Sequence, residues 1–358
     1  MNYRVSNFYA RKAHTADTTV VIDLDMQDLI SDIAMVFTGV GSTYLNTSPL
    51  FDGITNIEIV DGSEVLWGLG GVESEAIDWY MRGGQFANNY NYAMDGGSYT
   101  RTLLLRFGRH RFDPLLALDP KMFKNLQLRV TLDIDGGGNA PGTVYLDCWA
   151  SLFDEKTVSP IGFIMTKEVK MYTGAASTHE YTDLPVDHPY RAIYLRAHLA
   201  DTEANQCIAN FKLLEDQGKK IPFELDAQAL QRVITDNYPK VSESYWMAPH
   251  TSVRYLYVGP TAQVTALGQP WAAAAADQGT TCYSGDGGKL YVITASAASN
   301  TQIHVQGHFP HAVFEIPMGL KDEPDDWFDP SGIRNLKADI TGGASSVNHI
   351  IVQQLKRY

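Results

Sequence analysis

ITNIEIVDG (Ile54–Gly62) can be laid over IANFKLLEDQG (Ile208–Gly218), and this pairing decides how the chain is read. Ile54 falls on Ile208, Asn56 on Asn210, Ile57 on Phe211 and Ile59 on Leu213. In both copies apolar side chains recur at alternate positions, the period of a strand with one buried face. Each run ends at a turn, marked by Gly62 in one and Gly218 in the other, and a helix-like segment follows soon after. A second pair lies further along. DPKMFKNLQLRVTLDIDGG (Asp119–Gly137) answers DPSGIRNLKADITGG (Asp329–Gly343), setting Pro120 on Pro330 and Leu126 on Leu336. Each is followed by a closing strand, TVYLDCWASL in the first half and NHIIVQQL in the second. Two matches in the same order and context indicate an internal duplication.

Short strand-like runs fill the chain around these anchors. They include Thr18–Leu24, Thr102–Phe107, Thr143–Leu152, Ile161–Tyr172, Ala192–His198, Val253–Val258, Lys289–Ala295, Gln302–Gly307 and Asn348–Leu355, rich in β-branched and aromatic residues. Two helices are expected, Val72–Met81 and Asp226–Asn237, the latter with Asp226 as N-cap. No repeated βα unit appears, which excludes Rossmann and barrel architectures built on parallel strands. The reading is all-β: two antiparallel sandwiches in tandem, divided near Glu155–Ile161, where Pro160 interrupts the ladder. The boundaries run as a basic, aromatic N-terminal arm (1–16), a first sandwich (17–155), a linker (156–160), a second sandwich (161–355) with an insertion near 260–288, and a basic tail (356–358). The polar-aromatic stretch FANNYNYAMDGGSYT (Phe86–Thr100) reads as a long loop.

The 358 residues carry 28 Lys+Arg against 41 Asp+Glu, a formal net charge of -13. That balance argues against a cationic surface for nucleic acid, and no sequence-specific nucleic-acid binding is expected. Cys148, Cys207 and Cys282 are too scattered for a metal knuckle and read as free buried thiols in a reducing cytoplasm. No run approaches the roughly 18 apolar residues of a membrane span, and the N-terminus lacks the apolar core of a signal peptide.

A search for chemistry yields little. His304 and His308 form an HxxxH spacing in a strand-like context. His110 sits in a basic turn with Arg109 and Arg111 beside Asp113, and His179, His188 and His198 are dispersed. There is no GxSxG elbow, and Ser284–Gly288 reads as a flexible turn. GLGGVE (Gly68–Glu73) precedes a helix but lacks the spacing and the Lys-Ser/Thr ending of a phosphate loop. Acidic turns at Asp133 and Asp135, and at Asp325 and Asp326 within a run from Asp322 to Asp329, offer hard oxygen ligands. They are the weak calcium candidates, without EF-hand spacing. No pair of carboxylates for hydrolysis can be nominated, so no catalytic residue and no cofactor is assigned. The ends differ from the acidic body. Arg4, Arg11 and Lys12 interleave with Tyr3, Phe8 and Tyr9, and Lys356 and Arg357 precede the final Tyr358. These cations are candidate contacts to an inner, anionic surface such as lipid head groups.

Taken together, the plan resembles the double jelly-roll major capsid proteins of tailless icosahedral viruses, especially membrane-containing bacteriophages. Ile57, Ile59, Asp61 and Gly62 match that family's strand and turn, and Val72–Met81 matches its helix between the F and G strands. A second family element is similar to Leu118, Pro120, Phe123, Leu126 and Leu128, departing by the inserted Asp119 and one residue fewer before Phe123. The resemblance implies two eight-stranded jelly rolls with short connecting helices. It further implies a homotrimer of pseudo-hexagonal outline that meets neighbouring capsomers, penton and minor capsid proteins in a virion shell over an internal membrane, the chain being made in the host cytoplasm. The competing expectations are a carbohydrate-binding or host-recognition spike, with Trp67, Trp79, Trp246 and Trp271 as its aromatic platform, and a two-sandwich hydrolase.

Overall fold

The computed structural model describes residues 2–40, 48–93, 98–135, 141–154, 158–247, 253–270, 280–294 and 301–358. In chain order the first half contains strands β1 (Tyr3–His14), β2 (Thr18–Asp23), β3 (Ile30–Val40), β4 (Ile54–Asp61) and β5 (Glu64–Leu69), helix α1 (Gly71–Met81), then β6 (Tyr90–Ala93), β7 (Ser98–Arg106), β8 (Leu126–Leu132) and β9 (Val144–Phe153). The second contains β10 (Gly162–Thr173), β11 (His179–Leu184), β12 (Tyr190–His198), the single turn α2 (Ala204–Cys207), β13 (Ile208–Glu215), β14 (Lys220–Asp226) and α3 (Ala227–Asn237). It continues through β15 (Val241–Met247), β16 (Arg254–Tyr257), β17 (Pro260–Pro270), β18 (Thr280–Ser284), β19 (Lys289–Thr294) and β20 (Thr301–Pro310), and closes with β21 (Val313–Pro317), β22 (Leu336–Gly342) and β23 (Val347–Arg357).

Both halves share one topology. In the first, sheet β1-β9-β3-β7 faces β2-β8-β4-β5; in the second, β10-β23-β12-β21 faces β11-β22-β13-β14. Each is a jelly roll whose first, last, third and sixth strands make one sheet. The rolls are fused: β5 pairs in parallel with β10 (Trp67 opposite Thr166, Gly68 opposite Lys167), giving a continuous eight-stranded sheet through the molecule. Alternation explains the outer strands, as in LQLRVTL of β8, where Leu126, Leu128, Val130 and Leu132 are buried. The middle strand β23, flanked by β10 and β12, is instead buried over nearly its whole length, including Gln353 and Gln354. One apolar core runs through both rolls and α1, and a smaller one around Tyr245, Leu256 and Ile303 fills the insertion.

Three expectations about boundaries change. Tyr3–His14, read as an arm, is an edge strand paired with β9 over its length. Its alternation is hidden by register shifts between Asn7 and Tyr9 and between Tyr9 and Lys12, and charge and bulges are what a protected edge carries. The tail is likewise the end of β23, with Lys356 and Arg357 paired to Phe163 and Gly162. The insertion is larger than 260–288: it begins at Val241 and ends at Pro310, building the sheets β17-β20-β15-β6 and β16-β19-β18. The 86–100 stretch contributes β6 to it, parallel to β15. Both expected helices form, and the Asp226 carboxylate caps α3 by accepting from the Ala229 N–H at 2.7 Å. Of the expected linker, residues 156 and 157 lie outside the described residues, as do 271–279 of the expected insertion.

Candidate functional site

The residues with the most unusual chemistry lie on α1, where the two rolls and the insertion meet. GVESEAIDWYM is a helix buried on every side, although it carries three acids, Glu73, Glu75 and Asp78. Its entry needs glycine. A Cβ on Gly71 would run into the Phe51 carbonyl and Ile54, so GLGGVE closes a helix onto a strand rather than cradling a phosphate. On the far side, the Tyr80 hydroxyl donates to the Val313 carbonyl at 2.7 Å, and the Gln353 amide donates to Met81 Sδ at 3.5 Å, tying α1 to the second roll.

Glu73 is answered from the second roll, Glu75 from β7 and the insertion, and Asp78 from the end of α1 and β7. Glu73 pairs with Arg196 of β12 at 2.5 Å and lies 3.7 Å from His349 of β23, whose other ring nitrogen is 2.8 Å from Glu168. Burial opposes its ionisation, but Arg196 and His349 hold it below its usual value. Glu75 pairs with Arg101 of β7 at 2.5 Å and with His311 at 3.1 Å. Arg101 reaches on to Glu243 of β15 at 3.1 Å and donates to Asn91 of β6 at 2.9 Å. Glu243 in turn accepts from the Gly259 N–H and the Tyr245 hydroxyl, each at 2.7 Å. Asp78 accepts from Arg82 Nε at 2.8 and 2.9 Å and from the Leu104 N–H at 3.2 Å; burial outweighs these and pushes it up to about 6. Buried ion pairs give little net stability but strongly penalise mispairing. Here they fix how the rolls and the insertion seat on α1.

A groove of about 690 Å³ follows the seam between β5 and β10 below this helix. Asp52, Glu58, Glu73, Lys167, Glu168, Arg196 and His349 line it, a mixed-charge wall. Among the described residues, no group of three or more His, Cys, Asp or Glu is placed to hold a metal.

The residues singled out by sequence are distributed as follows. Ile57 and Ile59 lie inward on β4, Phe211 and Leu213 inward on β13, and Gly62 and Gly218 turn the two hairpins with φ of 62° and 82°. Leu126 and Leu336 open β8 and β22, opposite Asp61 and Glu215. Pro120 and Pro330 are buried behind matching turns in which Asp119 and Asp329 accept from Lys121 N–H and Ser331 N–H. The acidic candidates serve turns too: Asp133 accepts from the Asp135 N–H at 3.2 Å and Asp326 from the Leu320 N–H at 2.7 Å, while Asp325 is exposed. Trp67 and Trp79 are core residues, Trp246 is half-buried, and Trp271 lies outside the described residues. His304 bonds to Ser244, and Arg109 makes an ion pair with buried Asp113 at 2.7 Å.

The terminal cations do not converge. Arg4, paired with Asp28 and Asp154, sits by the β9 end that leads into the linker, and Lys356, paired with Glu64, sits with Arg357 where β10 begins. Arg11, stacked 4.4 Å over the Tyr145 ring, and exposed Lys12 are at the opposite end of β1, roughly 25 Å along the strand at its ordinary rise.

Sequence reading passed over Arg101, Arg196, Glu243 and His311. The signal was present for two of them. Arg101 is in phase with Tyr99, Leu103 and Leu105, and Glu243 with Val241, Tyr245 and Met247, so each charge falls on the buried face of an alternating strand.

No family model and no curated protein matches this sequence. Solved structures do match in shape. The STIV major capsid protein superposes with a TM-score of 0.59 at 11% identity, covering 99% of this chain and 96% of that one. The PBCV-1 virus capsid gives 0.58 at 12% identity over 99% and 94%. The major capsid protein P2 from bacteriophage PM2 gives 0.58 at 10% identity over 99% and 98%. With two rolls of one topology and near-complete coverage in both directions, the chain has the double jelly-roll fold of viral major capsid proteins.

Proposed function

We propose that this chain is a major capsid protein that assembles as a homotrimer of pseudo-hexagonal outline and tiles an icosahedral shell, meeting neighbouring capsomers, penton and minor proteins. The observation that carries the reading is the fusion of two like rolls through β5 and β10, fastened by α1. A rigid pair of like sandwiches lets three chains present six similar flanks, which is how threefold symmetry fits a sixfold lattice position. Native mass settles the trimer: a particle of three times the 39.6 kDa chain, or closed shells, is the expected result, and a stable monomer overturns it.

We place the particle interior, with an internal lipid membrane, at the end of the rolls carrying Arg4, Lys356 and Arg357. Because Asp28, Glu64 and Asp154 accompany these cations, the contact per copy is weak and works by number. Co-sedimentation of shells with anionic vesicles, lost in an Arg4→Gln, Lys356→Gln, Arg357→Gln variant, is the expected result. No binding, or binding unchanged in the variant, overturns this placement.

A further inference from the structure

A cleft of about 390 Å³ opens at the foot of the insertion, within the range of about 300–1,000 Å³ usual for small-molecule sites. It lies between the first roll (Asp52), the second roll (Arg196, His198) and the insertion (Tyr255, Tyr257, Lys289). Its outer wall is aromatic. Tyr255 is 46% exposed and begins a cross-strand row that runs Tyr255, Tyr291, Tyr283 over β16, β19 and β18. Tyr283 and Tyr291 stack at 5.1 Å with planes 10° apart, and the Lys289 ammonium lies 5.1 Å from the rings of both Tyr255 and Tyr291. At the inner end, the His198 ring donates to the Gly287 carbonyl at 3.0 Å, fixing the floor.

Charge at the cleft is already matched. Arg196 is paired with Glu73 at 2.5 Å and Lys289 with Asp201 at 2.7 Å. Burial, with Arg196 nearby, pushes His198 down to about 4, so the ring is neutral at pH 7. Asp52, hydrogen-bonded to Ser48 and in the field of Arg196, adds further acceptor capacity at the inner end. An ionic ligand would satisfy only one kind of partner here, whereas a hydroxyl both donates and accepts. A ligand with an apolar ring face for tyrosine and hydroxyls along its edge suits the wall and the inner end together.

We infer that this cleft binds an uncharged sugar ring, stacked on Tyr255 and hydrogen-bonded at its edge by Asp52 and Arg196. The site differs from the tryptophan platform expected from sequence. The test is saturation-transfer NMR on the full-length protein with methyl α-glucoside, methyl α-mannoside and lactose, with glucuronate as the anionic comparison. At least one neutral sugar is expected to bind, at least tenfold more weakly in Tyr255→Ala and unchanged in Tyr181→Ala, an exposed tyrosine on β11. Asp52→Asn keeps the shape of the cleft and is expected to weaken binding at least threefold, which serves if Tyr255→Ala folds poorly. The inference is overturned if no neutral sugar shows transfer, if transfer survives both substitutions, or if glucuronate binds better. It is also overturned if Tyr255→Ala changes the native mass, since a second copy would then cover the face.

Discussion

The carboxylates of Asp61 and Asp216 do the same work in the two rolls. Asp61 Oδ1 accepts from the N–H groups of Lys124 and Asn125 at 3.2 and 2.8 Å, and Asp216 Oδ1 accepts from those of Arg334 and Asn335 at 3.0 and 3.3 Å. Each clamps the loop that delivers the penultimate strand of its roll. Truncating either to alanine returns two mostly exposed loop N–H groups to water and loses the net value of the bonds, about 0.5–1.5 kcal/mol for each substitution. Because the sites lie in different rolls, the double variant should show the sum in chemical denaturation. A cost in one roll only would show that the clamps are not equivalent.

This relationship also shows what was legible in the sequence. Laid without gaps, Asp61 falls on Glu215, not on its counterpart Asp216. The first hairpin turns in two residues, Asp61 opposite Glu64, and the second in four, Glu215 opposite Lys220. The longer turn holds Asp216, Gln217 and Gly218 all at positive φ, a conformation that alternation does not encode. The strands of the duplicated frame were readable because one face of each is buried. The strand β3 was not: Asp32 is buried on the face opposite Ile33, Met35 and Phe37, where Ser151 donates to it at 2.7 Å, so both faces of the strand are covered in that stretch and the polar–apolar alternation no longer marks an inside and an outside. The α1 network depends on contacts between residues more than a hundred positions apart, such as Glu75 with His311, which no local pattern reports.

Arg101 is the residue whose loss should separate the insertion from the rolls. It bridges Glu75 and Glu243, and nothing else among the described contacts of those acids carries a permanent positive charge. Arg101→Met leaves two carboxylates buried around an apolar side chain, and a loss of about 3–5 kcal/mol is expected. The triple variant Arg101→Met, Glu75→Gln, Glu243→Gln removes the stranded charges and should regain much of that loss. Limited proteolysis should cut first within residues 241–310 in the single variant. If the single and triple variants are equally unstable, the charge argument fails.

Acid should weaken the foot of the insertion through His198. Its folded value is about 4 against an ordinary 6.5, lowered by burial and by Arg196. Between pH 6.5 and 4 the unfolded chain therefore binds more protons than the folded one. The stabilising contribution is complete above pH 6.5 and is lost as pH falls through that window. Asp78, raised to about 6, acts with the opposite sign, its contribution being lost as pH rises through 6. The two must be separated by variants. His198→Gln keeps a donor for the Gly287 carbonyl, and its stability relative to the parent should rise on acidification with a slope approaching about 1.4 kcal/mol per pH unit. A relative stability flat between pH 4 and 6.5 would show that His198 protonates alike in both states.

Tyr358 fastens the two rolls to each other. β23 returns from the second roll to end beside the first, and there the Tyr358 hydroxyl donates to the Ala117 carbonyl at 2.6 Å and accepts from the Asp119 N–H at 2.5 Å. Its ring packs 5.9 Å from Phe163, the residue that pairs with Lys356 at the start of β10. The hydroxyl therefore holds the Asp119–Pro120 turn of one roll to the C-terminal strand of the other. Tyr358→Phe keeps the ring and removes both bonds, for an expected cost of about 1–2 kcal/mol. Removing the residue should cost more, because the Phe163 contact goes as well. Hydrogen exchange distinguishes this clasp from generic packing. The Asp119 amide should lose protection in Tyr358→Phe while amides of β8, on the other side of the turn, keep theirs. Uniform loss across the first roll, or none at Asp119, would mean that the C-terminus rests on the turn without holding it.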